Sequence, residues 1–472
     1  MACIPDLYLK SHLIEEDMPE EMLKEIKEAV KESEEYMQTK EIFDLINQEK
    51  DRQENEICLI ASENYTSADV MKAQGSCLTQ KYAEGYPGHR YYAGCEIIDK
   101  IEQAAIDNAC KLFDCKFANV QPHSGASANL AVLKAFCNAG DTILGMSLDE
   151  GGHLTHGAKP TISGKWFDSI QYGLDDNGYL NYDEIKMRLY SYNPRLLIVG
   201  ASAYPRAIDF KKIRDMLDEY NDSFARAYQA ENELDLDVEE IIEKFGCKLM
   251  VDMAHIAGLV AAGLHQSPLP YADVVTSTTH KTLRGPRGGI ILWNNEKYTK
   301  KINSAVFPGC QGGPLEHVIA GKAVCFAEAL QPEFKEYASQ VLKNIKAMEN
   351  IFLKEGVKLI SGGSDNHLLL IDLKETNVTG QLLETVLEKI GIVTNKNAVK
   401  NDTRPKTETS GLRVGTAAVT TRGATENDCS MMAHIIATVI DQLNDYGAVA
   451  DKQFEISKNW VARWCKEHPI YK

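Results

Sequence analysis

One lysine stands where a run of β-branched residues gives out. Val274, Val275, Thr276, Thr278 and Thr279 are of the types that fit a pleated surface, and Gly285, Pro286, Gly288 and Gly289 break regular structure soon after. Between them come His280 and Lys281, with Arg284 and Arg287 following. Neighbouring cations and partial burial both disfavour an ammonium group. A neutral amine can attack an aldehyde to form a Schiff base. The same spacing also fits a surface lysine in a basic loop, so residues elsewhere in the chain must decide.

Other chemistry-bearing residues stand at the ends of short apolar runs. Asp252 and His255 follow Leu249 to Val251, Ser202 follows Leu196 to Val199, and His153 lies just beyond Thr142 to Met146. Ser124, Gly125 and Ala126 precede a helix expected from about Ala128 to Phe136. Small residues at a helix start leave backbone N–H groups free to face an anion, which the helix dipole also favours. The stretch from Lys81 to Tyr92 sets Tyr82, Glu84 and Tyr92 among turn-forming residues, which suits a polar ligand pocket. An imine-forming lysine, an anion-binding helix start and an aspartate after a strand together fit pyridoxal phosphate. Its aldehyde bonds the lysine, its phosphate needs N–H donors, and its ring nitrogen stays protonated beside a carboxylate. Asp252 is the candidate carboxylate in this reading, and His153 can stack on the ring. Taken singly, Asp252 also fits a helix N-cap and His153 a satisfied loop histidine.

The elements that must position these residues alternate. Strands end at Met146, Val199, Val251 and the segment before Lys281, with helical stretches between them. Ligands of open α/β sheets bind at that carboxyl edge. The expected fold is α/β: a large cofactor-binding domain over 89–330, with a mostly parallel mixed sheet flanked by helices. A smaller α+β domain over 331–472 offers Arg413 back to the site, and a helical arm precedes both over 1–88. In the arm, Met22, Ile26 and Val30, then Ile42 and Ile46, are spaced as on one helix face. The acidic stretch from Asp222 to Glu240 reads as a solvated insertion between helix and strand.

Composition narrows the partners. The 472 residues carry 51 Lys+Arg against 68 Asp+Glu, a net charge of −17. That balance disfavours nucleic acid and anionic membrane as partners. No apolar run is long enough to span a bilayer, and the first residues lack a secretory pattern. The 12 cysteines are scattered with no C-x-x-C pair, as expected of reduced thiols in the cytosol. No metal site is expected, because His153 and His156 have no second ligand cluster in sequence.

The run T-x-T-T-H-K-T-L-x-G-P-R-G-G from Thr276 to Gly289 is highly specific, and the chain resembles the serine hydroxymethyltransferase family. Further matching stretches are Leu59 to Ser67, Lys81 to Cys95, Asn119 to Asn129, Gly151 to Gly157 and Ser410 to Thr416. The resemblance implies pyridoxal-phosphate fold type I, with tetrahydrofolate as co-substrate. It implies reversible transfer of the serine hydroxymethyl carbon to give glycine and 5,10-methylenetetrahydrofolate. By resemblance, Lys281 is the Schiff-base lysine, Asp252 the ring-nitrogen partner and His153 the stacking histidine. Ser202 and His255 lie near the phenolic oxygen, Ser124, Gly125 and Ala126 form the phosphate cup, and Thr278 and His280 belong to the cofactor motif. Arg413 grips the substrate carboxylate, Ser62 and Tyr92 are further substrate contacts, and Glu84 handles a proton. Leu148, Leu154 and Asn397 contact folate.

Tyr82, Tyr92 and the turn Gly312-Gly313 are expected to serve a neighbouring subunit. The assembly implied is therefore a homodimer with shared sites, with a tetramer left open. Three departures stand out. Ala126 replaces a serine usual in the family, with Ser127 as a substitute donor, and both the Asp222 to Glu240 segment and most of the first 35 residues are additions. A folate-independent threonine-type aldolase and a non-catalytic cofactor-binding homologue are the competing readings.

Overall fold

The computed structural model describes Glu21, residues 39–232 and residues 236–471. Met22, Ile26 and Val30 lie outside the described residues. The chain divides into two units, one ending at Glu54 and the other beginning at Asn55. In the first, the helix Thr39–Asn55 buries no residue, and Ile42, Phe43, Leu45 and Ile46 are all exposed.

The second unit is built around a seven-stranded sheet. Its strands are β1 (Phe117–Asn119), β2 (Thr142–Met146), β3 (Asp168–Tyr172), β4 (Leu196–Val199), β5 (Lys248–Asp252), β6 (Val274–Thr278) and β7 (Gly289–Trp293). The spatial order is β1-β7-β6-β5-β4-β2-β3. Only β7 runs antiparallel to its neighbours β1 and β6.

Both faces of the sheet are covered, which is why these strands read as continuous apolar runs. Leu197, Val199, Leu249, Val251 and Val275 face one core. The residues between them in sequence, Leu196, Ile198, Met250 and Val274, face the other, where the helix Gly125–Phe136 packs. A residue shift of one would exchange the two faces, so the alternation also pins the register.

A second core surrounds a three-stranded antiparallel sheet of β8 (Leu368–Asp372), β9 (Asn395–Asn397) and β10 (Gly411–Gly415), with β10 in the middle. Ile57 and Leu59 lie in this core, and Ile57–Cys58 pairs in parallel with Ile392–Val393. The amide of Leu59 donates to Val393 and that of Gly415 to Leu59, at 2.8 Å each, so the backbone just before Ser62 is tied to the strand bearing Arg413.

Two elements differ from the sequence expectation. The helix expected from Ala128 begins at Gly125, because Ser124 and Ser127 form a reciprocal capping box. The stretch from Asp222 is no mere solvated loop: the helix Phe210–Asn232 extends into it as far as Asn232, and Val238–Phe245 forms another helix. Aromatic residues at helical spacing explain the continuation, with Tyr220 stacked on Phe224, Phe224 on Tyr228, and Tyr228 against Phe245. Among the described residues, Asp222, Glu231, Asp237, Glu239 and Glu240 are exposed.

Candidate active site

A cavity of about 480 Å³ opens at the carboxyl edge of the large sheet. Lys281, His280 and Thr278 reach it from the end of β6, Asp252 and His255 from β5, and Ser202 from β4. Leu148, His153 and Leu154 line it from beyond β2, and Ser124, Gly125 and Ala126 from the helix start after β1. The three-stranded sheet adds Asn397 and Arg413, and Ser62 lines the cavity as well. These residues share one edge because β1, β2, β4, β5 and β6 all point the same way.

Lys281 is 8% exposed, and its ammonium is pushed down to about 8 by burial, with Arg413 and Arg287 adding to the effect and Asp252 opposing it. Of the two arginines that follow it in sequence, only Arg287 acts on it. Arg284 adopts φ 61° and lays its guanidinium 4.1 Å from the Tyr337 ring centre, a cation–π contact. The second cation is Arg413, more than 100 residues away in sequence. A larger share of Lys281 is then neutral at pH 7 than of an ordinary lysine. Capture of an aldehyde by the cofactor-free protein is expected to speed up with rising pH and level off above about 8. Stopped-flow absorbance checks this; a plateau reached only near 10.5, the ordinary lysine value, would contradict it.

The Asp252 carboxylate is buried, which by itself would raise its pKa. Hydrogen bonds from His156 Nε2 at 3.1 Å and Asn129 Nδ2 at 2.9 Å outweigh burial and hold it below the usual carboxylate range. Asn129 also accepts from Thr276 and donates to Thr155, whose hydroxyl is 2.7 Å from His153 Nδ1. Asp252 thus joins His153 and His156, with donor atoms within 4.8 Å of one another, although no sequence neighbour announces it. Burial pushes His153 down to about 4, so its ring is neutral at pH 7. His156 and Asn129 are functional neighbours that local pattern did not single out.

His255 is packed on His367, with ring centres 5.3 Å apart and Nδ1 at 3.2 Å from His367 Nε2. Burial lowers both imidazoles, His367 to about 3. Arg413, in the middle strand of the small sheet, donates from Nε to Asn395 Oδ1 at 3.0 Å and from Nη1 to the Ser202 carbonyl at 2.6 Å. Its Nη2 lies 3.5 Å from Ser62 Oγ, facing the cavity. Burial brings this guanidinium down to about 10, so it keeps its charge at neutral pH.

At the helix start, a Cβ at Gly125 would collide with Thr278 Cγ2. Ser127, the substitute expected for the missing serine hydroxyl at Ala126, is engaged elsewhere: its Oγ accepts from Ser124 N at 2.9 Å and donates to Ser124 O at 2.9 Å. An anion here therefore has backbone N–H groups and Ser124, but no hydroxyl at 126. Ala126→Ser is expected to tighten retention of a phosphate-bearing cofactor by about 1 kcal/mol, or roughly fivefold. Equilibrium titration of cofactor-free protein measures it, and an unchanged affinity would show that the backbone already saturates the anion.

Five of the expected residues do not line the cavity. Tyr82, Glu84, Tyr92, Gly312 and Gly313 gather in a separate patch of the same chain. Tyr82 Oη is 3.3 Å from Glu84 Oε1, and its ring centre lies 5.0 Å from that of Tyr92. A Cβ at Gly313 would press on the Tyr82 ring at 3.0 Å. Tyr82 and Tyr92 are 53% and 45% exposed, so this patch faces outward from the chain.

Pyridoxal phosphate meets a fitting set of groups in the cavity. Thr278 Oγ1 and His280 Nδ1 are buried polar atoms without a partner among the described residues, and both residues line it. Such orphaned groups call for a polar ligand. A lysine of lowered basicity, an ionised aspartate and a helix start lie on the same wall.

The serine hydroxymethyltransferase family model matches residues 36–225 and 223–436. Serine hydroxymethyltransferase 1 of Pseudomonas aeruginosa is 51% identical over 434 residues, covering 92% of this chain and 97% of that protein. The Rickettsia typhi serine hydroxymethyltransferase is 54% identical over 411 residues, covering 87% and 92%. With cavity, cofactor-compatible groups and matched length all in agreement, this chain belongs to the serine hydroxymethyltransferase family.

Proposed function

We propose that this protein transfers the hydroxymethyl carbon of serine reversibly to tetrahydrofolate, giving glycine and 5,10-methylenetetrahydrofolate. The observation that carries the reading is the meeting of Lys281, Asp252 and Arg413 in one cavity, contributed by two sheets. Pyridoxal phosphate, when bound, supplies an electron sink for the breaking Cα–Cβ bond.

The chain's own residues bind, orient and move protons. Lys281 Nζ would hold the cofactor through its aldehyde and would offer a base within the cavity. Asp252, held in place by Asn129 and His156, would accept from the ring nitrogen. His153 would stack on the ring, Thr278, His280, Ser202 and His255 would meet its polar edge, and Ser124, Gly125 and Ala126 would cradle the phosphate. Arg413 and Ser62 fix the serine carboxylate, with a two-pronged geometry that lysine cannot copy. Leu148, Leu154 and Asn397 form the folate wall.

Glu84 exchanges a proton at the serine hydroxyl or the folate nitrogen, and comes with Tyr82, Tyr92 and Gly312-Gly313 from a second copy. The support for a homodimer with shared sites is that these residues sit together without lining their own chain's cavity, with Tyr82 and Tyr92 exposed. The large domain of 89–330 is the cofactor platform in this reading, and the 331–472 domain brings the carboxylate-binding arginine. A cytosolic setting is supported by the scattered cysteines; among the described residues no helix is long and apolar enough to cross a membrane.

Serine cleavage measured with and without tetrahydrofolate tests the reading. Strong stimulation by tetrahydrofolate is expected. Equal rates in its presence and absence would replace it with a folate-independent aldolase of the threonine type.

A further inference from the structure

Lys322 lies in the helix Glu316–Ala329, is 1% exposed and does not line the cavity. Its Nζ donates to three backbone carbonyls: Val120 at 2.6 Å, Gly289 at 2.8 Å and Pro122 at 3.0 Å. An ammonium has three N–H donors, so each is used. Glu102 and Glu316 act on it only through space, and burial brings its pKa down to about 7. An apolar side chain would fill this position without that cost, so the amine calls for a reason beyond packing.

The three carbonyls explain what it holds. Val120 and Pro122 lead directly into Ser124, and Gly289 opens β7 on the far side of the turn. Pro122 O also accepts from the Gly289 amide at 3.0 Å. The two sides approach so closely that a Cβ at Gly288 would collide with Lys322 Cε, and one at Gly289 with Ser124 O. The last two glycines of the Thr276 to Gly289 signature thus make room for the lysine and for the turn. The charge of Lys322 is felt at His123, the residue before Ser124. Its position therefore fixes the turn that aims the N–H groups of the helix start.

We propose that Lys322 is a positioning residue for the cofactor's phosphate group, clamping the Val120 to Ser124 turn against β7. The proposal rests on the pyridoxal-phosphate reading of the cavity. It separates from a general stabilising role because it concerns the phosphate alone.

The test titrates cofactor-free wild type, Lys322→Met and Lys322→Gln with pyridoxal phosphate and with pyridoxal, which lacks the phosphate. Circular dichroism and thermal melting establish that each variant is folded. Lys322→Met is expected to weaken pyridoxal phosphate about tenfold or more, and Lys322→Gln less, while pyridoxal affinity moves under about threefold. Losses that are equal for both ligands, or a preference for pyridoxal phosphate changed by under about threefold, would overturn the proposal. So would failure of both variants to fold, which would make Lys322 a determinant of the fold itself. A wild-type protein that binds neither ligand would instead remove the cofactor reading on which the proposal stands.

Discussion

Lys281→Met is expected to abolish serine turnover, by on the order of 10³-fold or more, and at the same time to stabilise the cofactor-free protein. Both effects follow from one property of the site. The cavity holds the amine near pKa 8 rather than 10.5 because burial, Arg413 and Arg287 all disfavour its charged form. A lowered lysine pKa means that the folded protein binds fewer protons than the unfolded chain between about 8 and 10.5. Stability of the cofactor-free wild type therefore rises with pH across that window, and below 8 it bears the full cost, at most roughly 3 kcal/mol. Methionine carries no such cost.

The midpoint of chemical denaturation at pH 7 should move upward in the variant, and the gain should shrink as pH approaches 10.5. Activity retained near the wild-type level would remove Lys281 from the mechanism. An unchanged midpoint would contradict the buried-cation account while leaving the chemistry standing.

Arg413→Lys should cost about 3 kcal/mol in kcat/KM for serine, or roughly 10²-fold, expressed mostly as a raised KM. The guanidinium is aligned before substrate arrives: Asn395 accepts from Nε at 3.0 Å and the Ser202 carbonyl from Nη1 at 2.6 Å. Lysine places a point charge in the same region but cannot satisfy both anchors and a carboxylate together. Asn395→Ala leaves the charge and removes one anchor, so its effect should be smaller, about 1 kcal/mol. Steady-state kinetics with serine and with glycine distinguish the cases. Equal KM values for Arg413→Lys and wild type would place the carboxylate elsewhere.

Lys281, Asp252, His153, Ser202 and Ser124 could be picked out in the sequence for a local reason: each follows a β-forming run, and chain direction alone delivers them to one sheet edge. Their supporting neighbours could not. Asn129 and His156 meet Asp252 from 123 and 96 residues away, and His367 meets His255 from 112. Arg284 carried a false signal, since proximity in sequence suggested an effect on Lys281 that a left-handed backbone turn redirects to Tyr337. Ser127 was misjudged similarly, because its spacing from Ser124 spends its hydroxyl on the capping box.

By itself the sequence determined the alternation of elements, the strand-end chemistry and, through the Thr276 to Gly289 signature, the family. These depend on side-chain type and short-range spacing, which the chain carries wherever it folds. Tertiary structure alone decided which cations lower Lys281, which groups hold Asp252 ionised, and that Glu84 and Tyr92 do not line their own chain's cavity. Those outcomes depend on burial and on distances between segments far apart in sequence, quantities that exist only once the two sheets have closed around the site.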